Sequence, residues 1–255
     1  PDRQRNNMLD CAAIKTEERL LATHMNNEGV RNLEICQYHK AAECFREALT
    51  KFTLAVQEAQ KQHEAFKSTS QTTFPDTLKP ETDCHWSSNP FQTDSQECPD
   101  VNENIFVYRR GIYILPHLGQ EENINSSRPN TFTTESAAVV YNLGLAYHLL
   151  GENNKEDQSQ NFRKAMQFYN IAASIRKQRL GCPADLIDIA ILNNLGQIHH
   201  EFANYDLSRA CFDQLAKGLT YFHQCGVLEH CVCQCDQDGF MMNVMMKSPD
   251  IAAAA

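Results

Sequence analysis

Three asparagines recur at equivalent places in the chain, each two residues before a glycine. They are Asn27, Asn142 and Asn194, and each lies in a stretch with a helical apolar pattern. An amide side chain offers both a donor and an acceptor, which suits it to polar binding. The alternative is that asparagine is simply tolerated on a solvated helix face. The threefold recurrence keeps the binding interpretation open.

Two histidines extend this polar pattern. His148 and His200 each follow a glycine by four residues, so they share a helix face with the preceding asparagine. The sequence therefore predicts one polar face with six candidate binding residues. They are Asn27, Asn142, Asn193, Asn194, His148 and His200.

The densest cluster of heteroatoms is the stretch HQCGVLEHCVCQCDQDG, residues 223–239. Thiolates and imidazoles are zinc ligands, and closely spaced cysteines can wrap a metal on an extended loop. Familiar structural zinc sites, however, use paired knuckles with a second distant pair, which the sequence lacks. We therefore interpret the stretch as a cysteine-rich turn without metal, and keep a metal-binding or redox-sensing protein as the alternative function. The candidate ligands for that alternative are Cys225, His230, Cys231, Cys233 and Cys235.

Signatures of catalysis are missing from the sequence. It contains no G-x-S-x-G elbow, no glycine-rich phosphate loop and no H-E-x-x-H pair. Glu201 beside His199 and His200 suggests acid–base chemistry, but adjacent positions on a helix do not converge on one point. The sequence predicts a protein that is not an enzyme and needs no cofactor.

Composition narrows the classes of partner. The 255 residues carry a formal charge of −9, and no clustered Lys and Arg patch offers contacts to phosphates, which disfavours nucleic acid. A hydrophobic share of 42% permits a core, whereas no apolar run approaches the length that spans a bilayer, so no membrane partner is expected.

The 11 cysteines do not show the regular spacing of a disulfide framework in a secreted protein. Reduced thiols in a cytoplasmic or nuclear protein are therefore expected.

The first half of the chain divides into three predicted parts. Residues 8–66 form a helical hairpin with a break near residues 26–29 and a long second helix, because neither Gly nor Pro occurs between residues 30 and 74. Residues 67–103 are rich in Ser, Thr, Asp, Gln and Pro, which predicts a disordered loop. Residues 104–135 begin with NIFVYRRGIYIL, a strand candidate at 104–115, and continue as a second polar loop.

The second half is predicted as two hairpins and a tail. Residues 136–223 pair helix 136–150 with helix 162–180, and helix 184–202 with helix 205–223. Residues 224–255 hold the cysteine-rich turn and a frayed end. Within them, residues 239–246 fit a short helix or a strand equally, and we predict a strand that pairs with residues 104–115.

The glycines align the hairpins. Gly29 is followed at 12, 16 and 19 residues by Ala41, Phe45 and Ala48, and Gly196 is followed at the same spacings by Ser208, Phe212 and Leu215. Gly144 needs a nine-residue insertion to reach Ala165, Tyr169 and Ala172. With Leu143 before Gly144 and Tyr147 after it, this pattern resembles the tetratricopeptide repeat. The predicted structural repeat positions are Gly29, Ala41, Phe45, Ala48, Gly144, Tyr147, Ala165, Tyr169, Ala172, Gly196 and Phe212.

The physics of the pattern is independent of the family. A glycine removes a Cβ where a second helix crosses, a small alanine accepts the close contact, and one hairpin alone cannot bury both faces. The predicted fold class is mainly α, with antiparallel hairpins stacked as a short TPR-like array, a small two-strand β element and long disordered loops. The glycine intervals of 115 and 52 residues depart from a regular 34-residue period. An unrelated helical bundle is the alternative.

The resemblance implies a place for the asparagines. In tetratricopeptide folds their position faces a concave groove and holds a bound peptide. The family's clamp for acidic tails needs Lys and Arg in the groove, where this chain has Asn26, Val30, Ala190 and Asn194, so that ligand is not expected. The resemblance predicts a non-catalytic protein–protein interaction module whose partner is an extended peptide or a helix.

Overall fold

The chain forms a stack of helical hairpins. The computed structural model describes residues 2–69, 106–115, 130–177, 185–226, 228 and 232–247. Seven α-helices can be bounded in these residues, and none of the residues is in a β-strand. The helices are α1 Asp2–Glu34, α2 Tyr38–Thr69, α3 Asn130–Asn153, α4 Gln158–Lys177, α5 Leu186–Glu201, α6 Tyr205–Gln224 and α7 Gln234–Lys247.

Sequence neighbours pack as pairs. Helices α1 and α2, α3 and α4, and α5 and α6 form three hairpins, which stack through α2 on α3 and α4 on α5, while α7 packs on α6. The turns after α1 and α5 share one geometry, with Cys36 and Ala203 in the left-handed region at φ 59° and 58°. In both turns the left-handed residue and its successor donate back to the last helical turn, an arrangement that satisfies end carbonyls. The helical-hairpin stack is compatible with a TPR-like array.

Each hairpin closes around a glycine that faces an aromatic ring. An added Cβ would lie 2.5, 2.9 and 2.8 Å from the nearest ring atom of the facing residue, so the helices approach as closely as glycine permits. The pairs are Gly29 with Phe45, Gly144 with Tyr169 and Gly196 with Phe212. Other repeat positions also lie inside the pairs. Ala41, Ala48, Ala165 and Ala172 are fully buried, and Tyr147 stacks on Phe168.

The predicted β element is wrong. Residues 106–115 are extended, but no strand pairs with them among the described residues, and residues 239–246 lie within α7. Phe240 and Val244 are buried while Met241 and Met245 are exposed, so the period is that of a helix. In this extended segment the backbone groups of residues 106, 108, 112 and 114 bond side-chain amides instead of a neighbouring strand.

Other predicted boundaries also move. Helix α1 continues through residues 26–29 without the predicted break, and the turn comes after Glu34. Residues 67–69 belong to α2 and α3 begins at Asn130, so both predicted disordered loops lie largely outside the described residues, at 70–103 and 116–129. Among the described helices, none is both long and apolar enough to cross a bilayer.

Candidate functional site

An extended stretch, residues 106–115, crosses the inner face of the stack, and we call it the inner segment. It contacts in turn α7, α5, α3 and α1, so it runs opposite to the order of the helices in the chain. Four asparagines, one from each of these helices, point their amides at it. We call them the amide row: Asn243, Asn194, Asn142 and Asn27.

Each amide of the row holds both backbone groups of one residue. The asparagine oxygen accepts from the backbone N–H, and its NH₂ donates to the backbone carbonyl of the same residue. The four pairs, with the two donor–acceptor distances, are Phe106 with Asn243 (3.1 and 2.7 Å), Tyr108 with Asn194 (3.0 and 3.0 Å), Ile112 with Asn142 (2.8 and 2.9 Å) and Ile114 with Asn27 (2.9 and 2.8 Å). Each amide thus supplies the two bonds that a neighbouring strand would have supplied.

Two further asparagines lock the row. Asn26 donates to the carbonyl of Ile112 at 3.0 Å and accepts from Asn142 at 2.8 Å. Asn193 donates to the carbonyl of Phe106 at 3.1 Å and to the Asn194 oxygen at 3.0 Å, and it accepts from Asn243 at 2.8 Å. All of these second bonds fix the orientation of the amides. A buried polar network with its members paired is rigid and geometrically specific.

Four apolar side chains of the inner segment belong to the hydrophobic core. Val107, Tyr108, Ile112 and Ile114 are buried. The ring of Tyr108 stacks on Phe240 of α7 at 5.2 Å between centroids. Burial of this kind contributes on the order of 1.5–3 kcal/mol for each large apolar side chain. The segment is therefore held both by its backbone and by its apolar side chains.

The middle of the inner segment carries two exposed arginines that reach carboxylates on different helices. Arg109 Nη2 lies 3.0 Å from Glu152 Oε2 on α3. Arg110 Nε donates to Asp236 Oδ2 on α7, and its Nη2 lies 3.0 Å from Cys233 Sγ. Burial raises the pKa of the Glu152 carboxyl above its usual value, and the charge of Arg109 opposes that rise.

The two predicted histidines lie elsewhere. His148 is fully buried between α3 and α4, with Nδ1 3.3 Å from Tyr169 Oη and its ring edge-on to Phe162. Burial lowers the pKa of His148 to about 3, so the imidazole is neutral near pH 7. His200 is half-buried, and its ring lies edge-on to Tyr205 at the start of α6. Their described contacts are with neighbouring helices, whereas Asn27, Asn142, Asn193 and Asn194 all contact the inner segment.

Sequence reasoning missed two residues of the site and the nature of its occupant. Asn26 stands where the tetratricopeptide clamp for acidic tails has Lys or Arg, which gives no sign of its contact with the segment. Asn243 lies in a stretch for which the sequence predicts a strand. Asn243 precedes no glycine by two residues, so the repeat pattern could not identify it. A helical phase for Phe240 and Val244 places Asn243 beside Val244 on the inner side, which is the signal that was available.

The cysteine cluster shows no metal geometry in the described residues. They contain no group of three or more His, Cys, Asp or Glu side chains placed to hold an ion, while His230 and Cys231 lie outside them. Cys225 and Cys233 are free, and Cys235 is disulfide-bonded, which departs from the expected set of reduced thiols. Burial raises the pKa of the Cys233 thiol, and its hydrogen bond to Asp236 adds to the rise. The thiolate that metals and oxidants require is therefore disfavoured there.

Comparison with known proteins gives no assignment. No protein-family model, curated protein or solved structure shows a significant match to this chain.

Proposed function

We propose that this chain is a non-catalytic interaction module of tetratricopeptide-like hairpins, and that its amide row binds the extended backbone of a partner peptide. The observation that carries the proposal is the set of four asparagines, each bonded to both backbone groups of one residue of the inner segment. On this proposal the inner segment occupies the site in place of a partner.

The bonding pattern favours an extended peptide over a helical partner. In a helix each backbone N–H already donates to a carbonyl of the same helix, so a helical residue cannot offer its N–H and its C=O together to one amide side chain. An extended chain leaves both groups of every second residue free on one edge. The inner segment uses this spacing at Phe106 and Tyr108, and again at Ile112 and Ile114.

Backbone recognition also supports exchange of one occupant for another. The amide bonds do not depend on side-chain identity, so a partner of different sequence can form them. The competing explanation is that the inner segment is a permanent core strap, which its buried Tyr108 and Ile112 would also suit. If the segment does exchange, a partner must displace the chain's own inner segment, whose tether gives it an effective concentration on the order of millimolar.

Binding in trans distinguishes the two explanations. The acceptor is the full-length chain with Gly111→Val, which loosens its own segment because an added Cβ would lie 2.9 Å from Val30. The probe is a fluorescent peptide of residues 105–115 with the native sequence, and binding is measured by anisotropy. We expect saturable binding that is lost when the acceptor also carries Asn142→Ala and Asn194→Ala.

Asn170→Ala in the same acceptor is the matched control, because Asn170 is exposed on α4. It is expected to leave the peptide affinity unchanged, and circular dichroism melts verify that each acceptor is folded. A folded acceptor that shows no saturable binding, or binding that survives loss of both amides, would overturn the proposed function.

A further inference from the structure

The amide row leaves the middle of the inner segment to other contacts. Its bonds reach residues 106 and 108 on one side and 112 and 114 on the other. Between them the described backbone contact is a long one, 3.5 Å from Tyr141 Oη to the carbonyl of Arg110. Residues 109–111 are therefore held mainly through side-chain contacts, whereas the residues on both sides are held through their backbone groups.

Two carboxylates define the charge of this middle part. Glu152 on α3 meets Arg109, and Asp236 on α7 meets Arg110. The two acids are themselves largely sheltered, with side-chain exposures of 22% and 11%, whereas the arginines are about half exposed at 46% and 47%. A sheltered carboxylate discriminates strongly against a neutral or acidic neighbour, because it then lacks a partner for its charge.

A third feature of the middle is steric. An added Cβ at Gly111 would lie 2.9 and 3.0 Å from the two methyl carbons of Val30 and 3.2 Å from Leu33 Cδ1. Both neighbours are buried on α1 and cannot easily move. The surface of α1 therefore leaves room only for glycine at this position.

We propose that the site formed by the amide row selects peptides by a central basic–basic–glycine triplet, recognised by Glu152, Asp236 and the Val30–Leu33 surface, with a run of apolar residues on either side. The inference rests on the proposed function and names the class of partner: an extended protein segment with the pattern of residues 106–115. Because the amide bonds require only a backbone N–H and C=O, they exclude proline but distinguish little else, and this triplet supplies the specificity that they lack.

A panel of three fluorescent peptides tests the inference on the folded Gly111→Val acceptor. The first has the native sequence of residues 105–115, the second carries Arg109→Glu and Arg110→Glu, and the third carries Gly111→Val. We expect the native peptide to bind about tenfold or more tightly than either variant. The second peptide loses two ion pairs and gains like charge, and the side chain added in the third meets Val30 and Leu33.

The outcomes separate this inference from the proposed function. Equal affinity for all three peptides, with binding still abolished by Asn142→Ala and Asn194→Ala, would overturn selection by the triplet but not peptide binding by the amide row. No binding by any peptide would overturn both. A preference for the native peptide together with dependence on the amides supports both.

A second measurement needs no peptide in trans. In the full-length chain, Arg110→Glu places two acids together, and adding Asp236→Arg restores opposite charges in reversed order. We expect amide hydrogen exchange at Tyr108 and Ile112 to accelerate about tenfold in the single variant and to recover in the double variant. Unchanged exchange in the single variant, or no recovery in the double variant, would contradict recognition by charge.

Discussion

The side-chain amide of Asn194 bonds both backbone groups of Tyr108, each at 3.0 Å, and the bonded groups are buried. It also donates to Tyr169 Oη at 3.1 Å, so the inner segment is connected through α5 to the ring on α4 that faces Gly144. The site and the hairpin packing are therefore one continuous structure. Changes at the amides are expected to affect both.

Asn194→Ala removes both bonds and leaves a buried N–H and a buried carbonyl of Tyr108 without this partner. Each unpaired buried group costs about 1–3 kcal/mol, so we expect a loss of about 2–4 kcal/mol in the free energy of unfolding. Urea denaturation measures the loss, and hydrogen exchange at Tyr108 locates it. Asn170→Ala, at an exposed position on α4, serves as the control. A loss no larger than the control's would show that the bond pair contributes little.

Two glycines on paired helices predict opposite effects of the same substitution. Gly196→Ala puts a Cβ 2.8 Å from the Phe212 ring, and we expect roughly 1–3 kcal/mol of destabilisation. At Gly218 the nearest atom, on Ile189, would be 3.6 Å away, so Gly218→Ala is expected to stabilise by up to about 1 kcal/mol through helix propensity. Thermal melts of both variants make the comparison. Phe212→Leu should lessen the cost of Gly196→Ala, and strict additivity would contradict the contact.

His148 predicts a dependence of stability on acid. Its pKa in the folded protein is about 3, below the ordinary 6.5, because its burial disfavours the charged form. The stability that comes from burying the neutral imidazole is fully present above pH 6.5 and is lost as the pH falls toward 3. A group of this kind changes stability by up to about 1.4 kcal/mol per pH unit in that window.

His148→Leu isolates this effect, because other titrating groups act in both proteins. We expect the stability difference between wild type and variant to shift by about 2 kcal/mol in favour of the variant between pH 7 and pH 5. Urea melts at the two pH values measure it. A difference that stays constant with pH would mean that the imidazole is accessible to protons in the folded protein.

Arg176 joins the end of α4 to the start of α5. Its guanidinium lies 2.6 Å from Asp185 and 2.9 Å from Asp188, and the Asp185 side chain also caps α5 by accepting from Ile187. Arg176→Met would leave two sheltered acids without this cation, at an expected cost of about 3–5 kcal/mol. The unfolding free energy measures this, with Lys177→Met, one residue along the same helix, as the control. Similar losses in both variants would contradict a role for the charge cluster.

The pairing of helices into hairpins could be predicted from the sequence. Gly144 and Gly196, with small and aromatic residues at fixed distances, indicate helix pairs because that spacing reflects a contact within one hairpin. The positions of Asn142 and Asn194 follow from the same repeat. The partner of the inner segment could not be predicted. Its β-branched and aromatic residues favour an extended backbone whether an amide or another strand bonds that backbone.

The region around Asn243 shows why the last described helix could not be predicted either. The run of methionines before and after it fits a period of two as well as one of 3.6, so only the buried positions of Phe240 and Val244 decide for a helix. With α7 misassigned, its asparagine could not join the predicted site. The burial of His148 could not be predicted either, because it depends on Phe162 of α4 and not on its own helix.

The reversed course of residues 106–115 also bears on how the molecule comes apart. Hairpin arrays ordinarily melt by fraying, since each unit touches only its nearest neighbours. Here one short stretch of chain is bonded to the first and to the last of the described helices, through Asn27 and Asn243. Loss of either helix from the stack leaves backbone groups of this stretch without their amide partner. We expect a single all-or-none transition, in which calorimetric and van't Hoff enthalpies coincide, rather than stepwise loss of terminal units.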